Sequence, residues 1–178
     1  MAMRRRPKVK VEIRLPGITV GTDDIAGHFG SKSERGPFLV ISRACGMALD
    51  TGGHNDDGSI ATVYPTDAGR RQLWYLRPSG YAGEVLIISA DNGLALDATR
   101  PEDDGKPLLW EPHGAEWQRW TLSPCPDGGA YYVGSVARER TLVMGQHAEP
   151  NWQPWLEDRR GIKSHQWMLV VPHGSGLT

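Results

Sequence analysis

Six histidines, at positions 28, 54, 113, 147, 165 and 173, two Asp-Asp-Gly runs and one Gly-Ser-Gly are the sets from which metal or nucleophile chemistry would have to be built. The histidines form no His-x-x-x-His or His-Glu pattern, so the paired ligands of a catalytic zinc are not at ligating spacing. Asp56-Asp57-Gly58 and Asp103-Asp104-Gly105 lack the alternating oxygen ligands of an EF-hand loop and read as Asp-Gly turns between strands. Gly174-Ser175-Gly176 lies in a short polar tail without the Gly-x-Ser-x-Gly elbow of a serine nucleophile. No catalytic residue, metal or cofactor is therefore expected, and no enzyme activity. What does recur is a carboxylate followed by a ring: Asp50 with Tyr64, then Asp97 with Trp110. Acid and aromatic groups gathered together are the usual signature of a binding pocket.

These pairs sit in an internal repeat. Ser42-Arg43-Ala44-Cys45-Gly46-Met47-Ala48-Leu49-Asp50 matches Ser89-Ala90-Asp91-Asn92-Gly93-Leu94-Ala95-Leu96-Asp97 at Ser, Gly, Ala, Leu and Asp, and Asp56-Asp57-Gly58 falls opposite Asp103-Asp104-Gly105. Each copy closes on Gln-x-Trp, first Gln72-Leu73-Trp74 and then Gln118-Arg119-Trp120. A third, eroded copy runs from Tyr131-Tyr132-Val133 through Leu142-Val143-Met144 to His165-Gln166-Trp167, with His165 in the Gln position. The tryptophans 74, 120 and 167 keep step at intervals of 46 and 47 residues.

Within the first copy the apolar runs are short and β-like: Phe38-Leu39-Val40-Ile41, Met47-Ala48-Leu49, Ile60 to Tyr64 and Leu73-Trp74-Tyr75-Leu76, separated by Asp, Gly, Pro and Asn clusters. No window sustains a 3.6-residue period, so helices are expected to be single turns at most. Four strands in each of three copies make about twelve, and a sheet of that size must close or fold over to protect its edges. The expected fold class is a closed all-β body with three-fold pseudo-symmetry.

Composition agrees with a protein that does not rely on charge. Twenty basic against 21 acidic side chains leave a net charge of −1, so no global field draws the chain to nucleic acid or an anionic membrane. Seven Trp against two Phe show that indoles are used for something specific. Cys45 and Cys125 are far apart in sequence without Cys-x-x-Cys spacing, which fits reduced thiols. The start carries Arg4, Arg5, Arg6, Lys8 and Lys10, but no apolar run of signal-peptide length follows, and no stretch is long enough to span a bilayer. A cytoplasmic protein is expected, with export by a route other than a leader left open. Residues 9–15, Val-Lys-Val-Glu-Ile-Arg-Leu, alternate apolar and charged and predict an arm strand ending at Pro16. That arm would lie along its own domain or pair with a protein partner or a second copy of the chain. A loop with one helical turn from Thr22-Asp23-Asp24 follows it.

Repeats of this length carrying Leu-Asp, then Gly-Ser or Gly-Lys, then an aromatic, then Gln-x-Trp resemble the ricin B-chain-like lectins. The resemblance implies a β-trefoil over residues 37–172, with copies at about 37–80, 81–127 and 128–172, preceded by a tail and arm at 1–36 and followed by a tail at 173–178. It implies that Trp74, Trp120 and Trp167 fill the core, and that Gln72, Gln118 and His165 hold nearby turns. It also implies a glycan or polysaccharide as partner, bound through Asp50 and Tyr64 in the first copy and Asp97 and Trp110 in the second. A carboxylate accepts hydrogen bonds from adjacent sugar hydroxyls, and an aromatic face packs against the apolar side of the ring. The third copy offers Gly145 near the Asp position and Trp155 near the aromatic one. The Asn that many members of the family place before the Gln is replaced by Arg71, Trp117 and Ser164, and Asp67 and His113 are the polar groups that could substitute for it. An Asp before a Gly-rich loop equally caps that turn, so Asp50 and Asp97 stand between ligand and turn roles. Two readings follow: a lectin-like module, or a trefoil with degenerate sugar sites that binds a protein as inhibitor or assembly subunit.

Overall fold

The structure, a computed structural model, describes residues 33–98 and 105–172. The expected arm strand at 9–15, the turn at 22–24, the basic start, the pair Asp103-Asp104 and the tail at 173–178 lie outside the described residues. Among the described residues thirteen short strands run in order: β1 (Arg35–Ser42), β2 (Ala48–Asp50), β3 (Ser59–Ile60), β4 (Thr62–Tyr64), β5 (Leu73–Pro78), β6 (Glu84–Ser89), β7 (Ala95–Asp97), β8 (Leu108–Trp110), β9 (Trp120–Pro124), β10 (Tyr131–Ser135), β11 (Arg140–Val143), β12 (Trp155–Glu157) and β13 (Trp167–Val170). The helices among the described residues are single 3-10 turns at Arg70–Gln72, Glu116–Gln118 and Lys163–His165, each ending on the Gln or His of its copy.

Six strands close on themselves. β1 pairs β5, β5 pairs β6, β6 pairs β9, β9 pairs β10, β10 pairs β13 and β13 returns to β1, all antiparallel. Closure leaves the barrel without an open edge. The hairpins β2/β4, β7/β8 and β11/β12 form a cap, one from each copy. The apolar run from Ile60 to Tyr64, read in sequence as one strand, is split at Ala61, because β3 pairs β8 of the second copy whereas β4 pairs β2 of its own.

The repeated residues have repeated jobs. In the first two copies the turn into the cap hairpin closes with Gly46 N–H donating to Ser42 O at 2.8 Å and Gly93 N–H to Ser89 O at 3.0 Å. Both glycines hold positive φ, 74° and 76°, where a side chain is strained. The hydroxyls of Ser42 and Ser89 accept from the N–H groups of Ala44 and Asp91 inside those turns.

Trp74, Trp120 and Trp167 are fully buried in one shared core with Leu49, Leu96 and Leu142. Their indole N–H groups donate to the carbonyls of those leucines at 3.0, 2.9 and 2.9 Å. A buried indole needs one such acceptor, and the leucine carbonyl supplies it in all three copies. The cap interlocks the copies: Gly58 N–H donates to Leu109 O (2.8 Å), Leu156 N–H to Gly105 O (2.9 Å) and Val63 N–H to Trp152 O (2.8 Å). First copy therefore touches second, second touches third and third returns to first.

Candidate functional site

The leucine carbonyls that receive the indoles fix the register between copies. Leu49, Leu96 and Leu142 are equivalent, so the residue equivalent to Asp50 and Asp97 is Val143. The next residues confirm it, since Thr51, Ala98 and Met144 donate their N–H groups to the carbonyls of Arg71, Trp117 and Ser164. Strand pairing then matches Asp50 with Thr62, Asp97 with Leu108 and Val143 with Trp155. Gly145 and Trp155, expected near the third copy's acid and ring positions, each stand two residues away from them. Val143 stands at the acid position and Glu157, facing Thr141, at the ring position. The third copy therefore has neither half of the pair.

In the first two copies the acid and the ring share a face. Ala48 opposes Tyr64 and Asp50 opposes Thr62, while Ala95 opposes Trp110 and Asp97 opposes Leu108. Residues directly opposite point the same way, and those two apart along a strand do so too, so Asp97 and Trp110 are diagonal neighbours on the outer face. Leu49, Val63, Leu96 and Leu109, on the inner face, are core residues.

The two carboxylates then differ. Asp50 is 1 % exposed; its Oδ1 accepts from Gly52 N–H at 2.7 Å and its Oδ2 from Gln72 Nε2 at 3.2 Å. Asp67, exposed, spends Oδ1 on Gly69 N–H at 2.7 Å, while its own N–H is held by Gln72 Oε1 at 2.9 Å. Gln72 Nε2 also donates to Pro65 O at 3.0 Å, so this one buried amide ties Asp50 to the turn after β4. Tyr64 is half-buried beside them. Arg71, in the pre-Gln position, lies over the loop after β2, its Nη1 standing 3.5 Å from where a Cβ at Gly53 would be.

The second copy is more open. Asp97, 8 % exposed, faces His113, with Nε2 to Oδ2 at 3.6 Å. His113 Nδ1 accepts from Ala115 N–H at 3.1 Å, so the neutral ring carries its proton on Nε2, toward the carboxylate. The separation is longer than a direct hydrogen bond. Gln118 holds the turn as Gln72 does, donating to Glu111 O at 2.9 Å and accepting from His113 N–H at 2.8 Å. Trp110 is 42 % exposed and leans across the copy boundary onto Gly58, whose φ is 83° and where a Cβ would meet ring atom Cζ3 at 3.2 Å. Asp57 Oδ1 accepts Glu111 N–H at 2.6 Å and locks the same boundary.

Beyond Gly58 lies a feature that the acid-and-ring pattern did not reveal. An open cleft of about 610 Å³ runs between the first copy's cap loop and the third copy, lined by Gly52, His54, Asp57, Thr62, Asn151 and Gln153 among others. The signal was the interval of 47 residues from Gly58 to Gly105, which, continued once more, reaches the exposed Trp152.

Residues 70–151 match the family model described as a ricin-type beta-trefoil lectin domain-like family. No curated protein matches the chain by sequence. Among solved structures it is similar to a designed three-fold symmetric protein, ThreeFoil, with TM-score 0.70 and 24% identity over 76% of this chain and 99% of that one. It is similar to the Macrolepiota procera ricin B-like lectin, solved in complex with lactose, with TM-score 0.64 and 16% identity over 80% of this chain and 97% of that one. It also resembles part of a mosquitocidal holotoxin, with TM-score 0.69 and 14% identity over 79% of this chain but only 17% of that one. At these identities the likeness concerns the fold.

Proposed function

We propose that this chain, whose residues 70–151 match a ricin-type β-trefoil lectin-like family model, is a non-catalytic carbohydrate-binding module whose principal sugar site is the second copy's Asp97, Trp110 and His113. The observation that carries the reading is the Asp97 carboxylate on the same outer face as the exposed Trp110 ring, with the His113 Nε2–H opposite it. The carboxylate accepts from vicinal hydroxyls, the imidazole N–H donates to one of them, and the indole face takes the C–H side of the sugar. In the first copy, Asp50 and Asp67 both spend carboxylate oxygens on their own turns, so we assign them a structural role there.

A shallow site of this kind binds a single sugar at millimolar strength, about 4 kcal/mol. A glycan array that includes lactose, probed with the wild-type chain and an Asp97→Ala/Trp110→Ala variant, tests the reading. Signal in the wild type that disappears in the variant supports it. His113→Ala is expected to weaken the same signal, and unchanged binding removes His113 from the site. The second reading, a trefoil that binds a protein, draws on the covered Asp50 and on Val143 and Glu157 in the third copy. Its outcome is an array silent for both forms together with a protein partner captured through residues 9–15.

A further inference from the structure

The charges of this chain are divided along its length. Residues 1–32 carry seven Lys and Arg against three Asp and Glu, whereas residues 33–178 carry thirteen against eighteen. The first ten residues hold five of the basic groups, Arg4, Arg5, Arg6, Lys8 and Lys10, and no acid. An acidic body attracts a basic start, and one place on the described body is shaped to receive a cationic side chain. The cleft between the first copy's cap loop and the third copy is lined by Asp56 and Asp57 and by no Lys or Arg. Asp57 spends Oδ1 on Glu111 N–H and keeps Oδ2, and among the described residues nothing bonds the Asp56 carboxylate.

A second feature points into the same cleft. Thr62, which also lines it, is 8 % exposed, and among the described residues no group hydrogen-bonds its Oγ1. A buried hydroxyl without a partner is unfavourable and marks a place that an incoming donor completes. Gln153 turns its amide N–H to Pro107 O at 3.3 Å, which leaves Oε1 as a further acceptor on the third copy's wall. Arg71, whose guanidinium lies over Gly53, is not among the lining residues. Two carboxylates, a hydroxyl and an amide oxygen call for a donor-rich cation. A bare metal ion is a poor fit, because no three His, Cys, Asp or Glu side chains gather to hold one among the described residues. A guanidinium carries five N–H donors in a planar fork and no acceptor, and it meets carboxylates with paired bonds. At about 610 Å³ the cleft has room for such a head and part of its stem. Its walls stand before the cation arrives, since Asn151 N–H donates to Val63 O and Val63 N–H to Trp152 O, both at 2.8 Å.

We propose that this cleft is an arginine-binding site whose occupant is the chain's own Arg4-Arg5-Arg6 run. Residues 7–32 span up to about 85 Å when extended, against about 40 Å for the breadth of a domain of this size, so the run reaches the cleft of its own molecule. Tethering presents it there at a local concentration of about a millimolar, ahead of any second copy's run in dilute solution. The site stands whether or not the Asp97 pocket takes a sugar.

A fluorescein-labelled peptide of residues 1–10, titrated by anisotropy onto the full-length chain, is the test. The receptors are the wild type and an Arg4→Gln/Arg5→Gln/Arg6→Gln chain, in which the tethered run no longer competes. The peptide is expected to bind the triple variant at least about tenfold more tightly than the wild type. Adding Asp56→Asn/Asp57→Asn to the triple variant abolishes binding, although Asp57→Asn keeps an oxygen for Glu111 N–H. Adding Thr62→Val instead weakens binding about tenfold, the worth of one hydrogen bond to a charged donor. Thr62→Val keeps the shape of the side chain and discards only the unpaired hydroxyl, so its melting temperature is expected to equal or exceed that of its parent. A peptide carrying Arg4→Lys/Arg5→Lys/Arg6→Lys binds more weakly, because an ammonium lacks the planar fork. Equal affinity for the wild type and the triple variant overturns the proposal. So does binding untouched by the cleft substitutions, a lysine peptide that binds as well as the arginine one, or no binding to either chain.

Discussion

Asp50 and Asp97 occupy the same place in the repeat, end the same kind of strand and face the same side of it, yet the Gln72 amide meets Asp50 and the His113 imidazole meets Asp97. Which role an aspartate takes is decided by the donors around it, and only some of those are readable in the sequence. The position equivalent to Asp67 is His113, a difference visible in the chain, and it accompanies a change of partner from the Gln72 amide to an imidazole. What is not visible is that Gln72 reaches both Pro65 and Asp50 from a buried turn. Asp50→Ala is accordingly expected to cost stability, because it strips Gly52 N–H and one bond of a buried amide. A loss of about 1–3 kcal/mol follows from unsatisfying such donors. In a thermal melt this lowers Tm by several degrees, while the second copy's binding signal persists once the protein is folded. An Asp50→Ala protein that melts with the wild type and loses sugar binding would reverse the assignment and return Asp50 to the site.

At the level of the element, the closing Gln-x-Trp turn is the most legible part of the chain, because its three tryptophans must reach one core and so keep their interval. The third copy shows the limit. His165 in the Gln place could be read from the step of the tryptophans, but Val143 at the acid position could not, since no Leu-Asp survives there and the register is fixed by bonds of the folded chain, Trp167 to Leu142 O and Met144 N–H to Ser164 O. His165 also changes the chemistry of the element. Gln72 and Gln118 both accept and donate at any pH, whereas His165 can imitate them only as the neutral ring. Its Nδ1 accepts Arg160 N–H at 3.5 Å and its Nε2 faces Glu157 Oε2 at 3.7 Å. Burial pushes the His165 imidazole below its ordinary value of 6.5; Glu157 opposes the shift and Arg160 adds to it. Below 6.5 the unfolded chain binds a proton that the folded chain refuses, so stability is full above that pH and declines as pH falls from it toward the lowered folded value. Urea midpoints measured between pH 5 and 7.5 should fall on the acid side. His165→Gln should remove this residue's share of the slope, and identical slopes in both proteins would show that the turn is not held by the neutral ring.

For the whole molecule, the count of copies and the need for closure follow from the sequence, but the hand-over between copies does not. Nothing in the types of Gly58 and Leu109, Gly105 and Leu156, or Trp152 and Val63 says that each will bond a neighbour rather than its own copy. That choice exists only once three copies close a ring, and it divides Ile60 from Val63 into strands with different partners. The barrel shares edges in the same way, since β6 is bonded to β5 of the first copy and to β9 of the second. A single copy removed from this arrangement would expose unpaired edges on both sides and part of the common indole core. The described domain is therefore expected to unfold as one unit, with tryptophan fluorescence and far-ultraviolet circular dichroism tracing the same urea transition, as two-state behaviour requires. A fragment restricted to residues 81–172, which keeps two intact Gln/His-x-Trp turns but loses β1 and β5, should lack a cooperative transition. Separate midpoints for the two probes, or a folded fragment, would mean that the copies stand alone and that the bonds between them are contacts of convenience rather than the source of the fold.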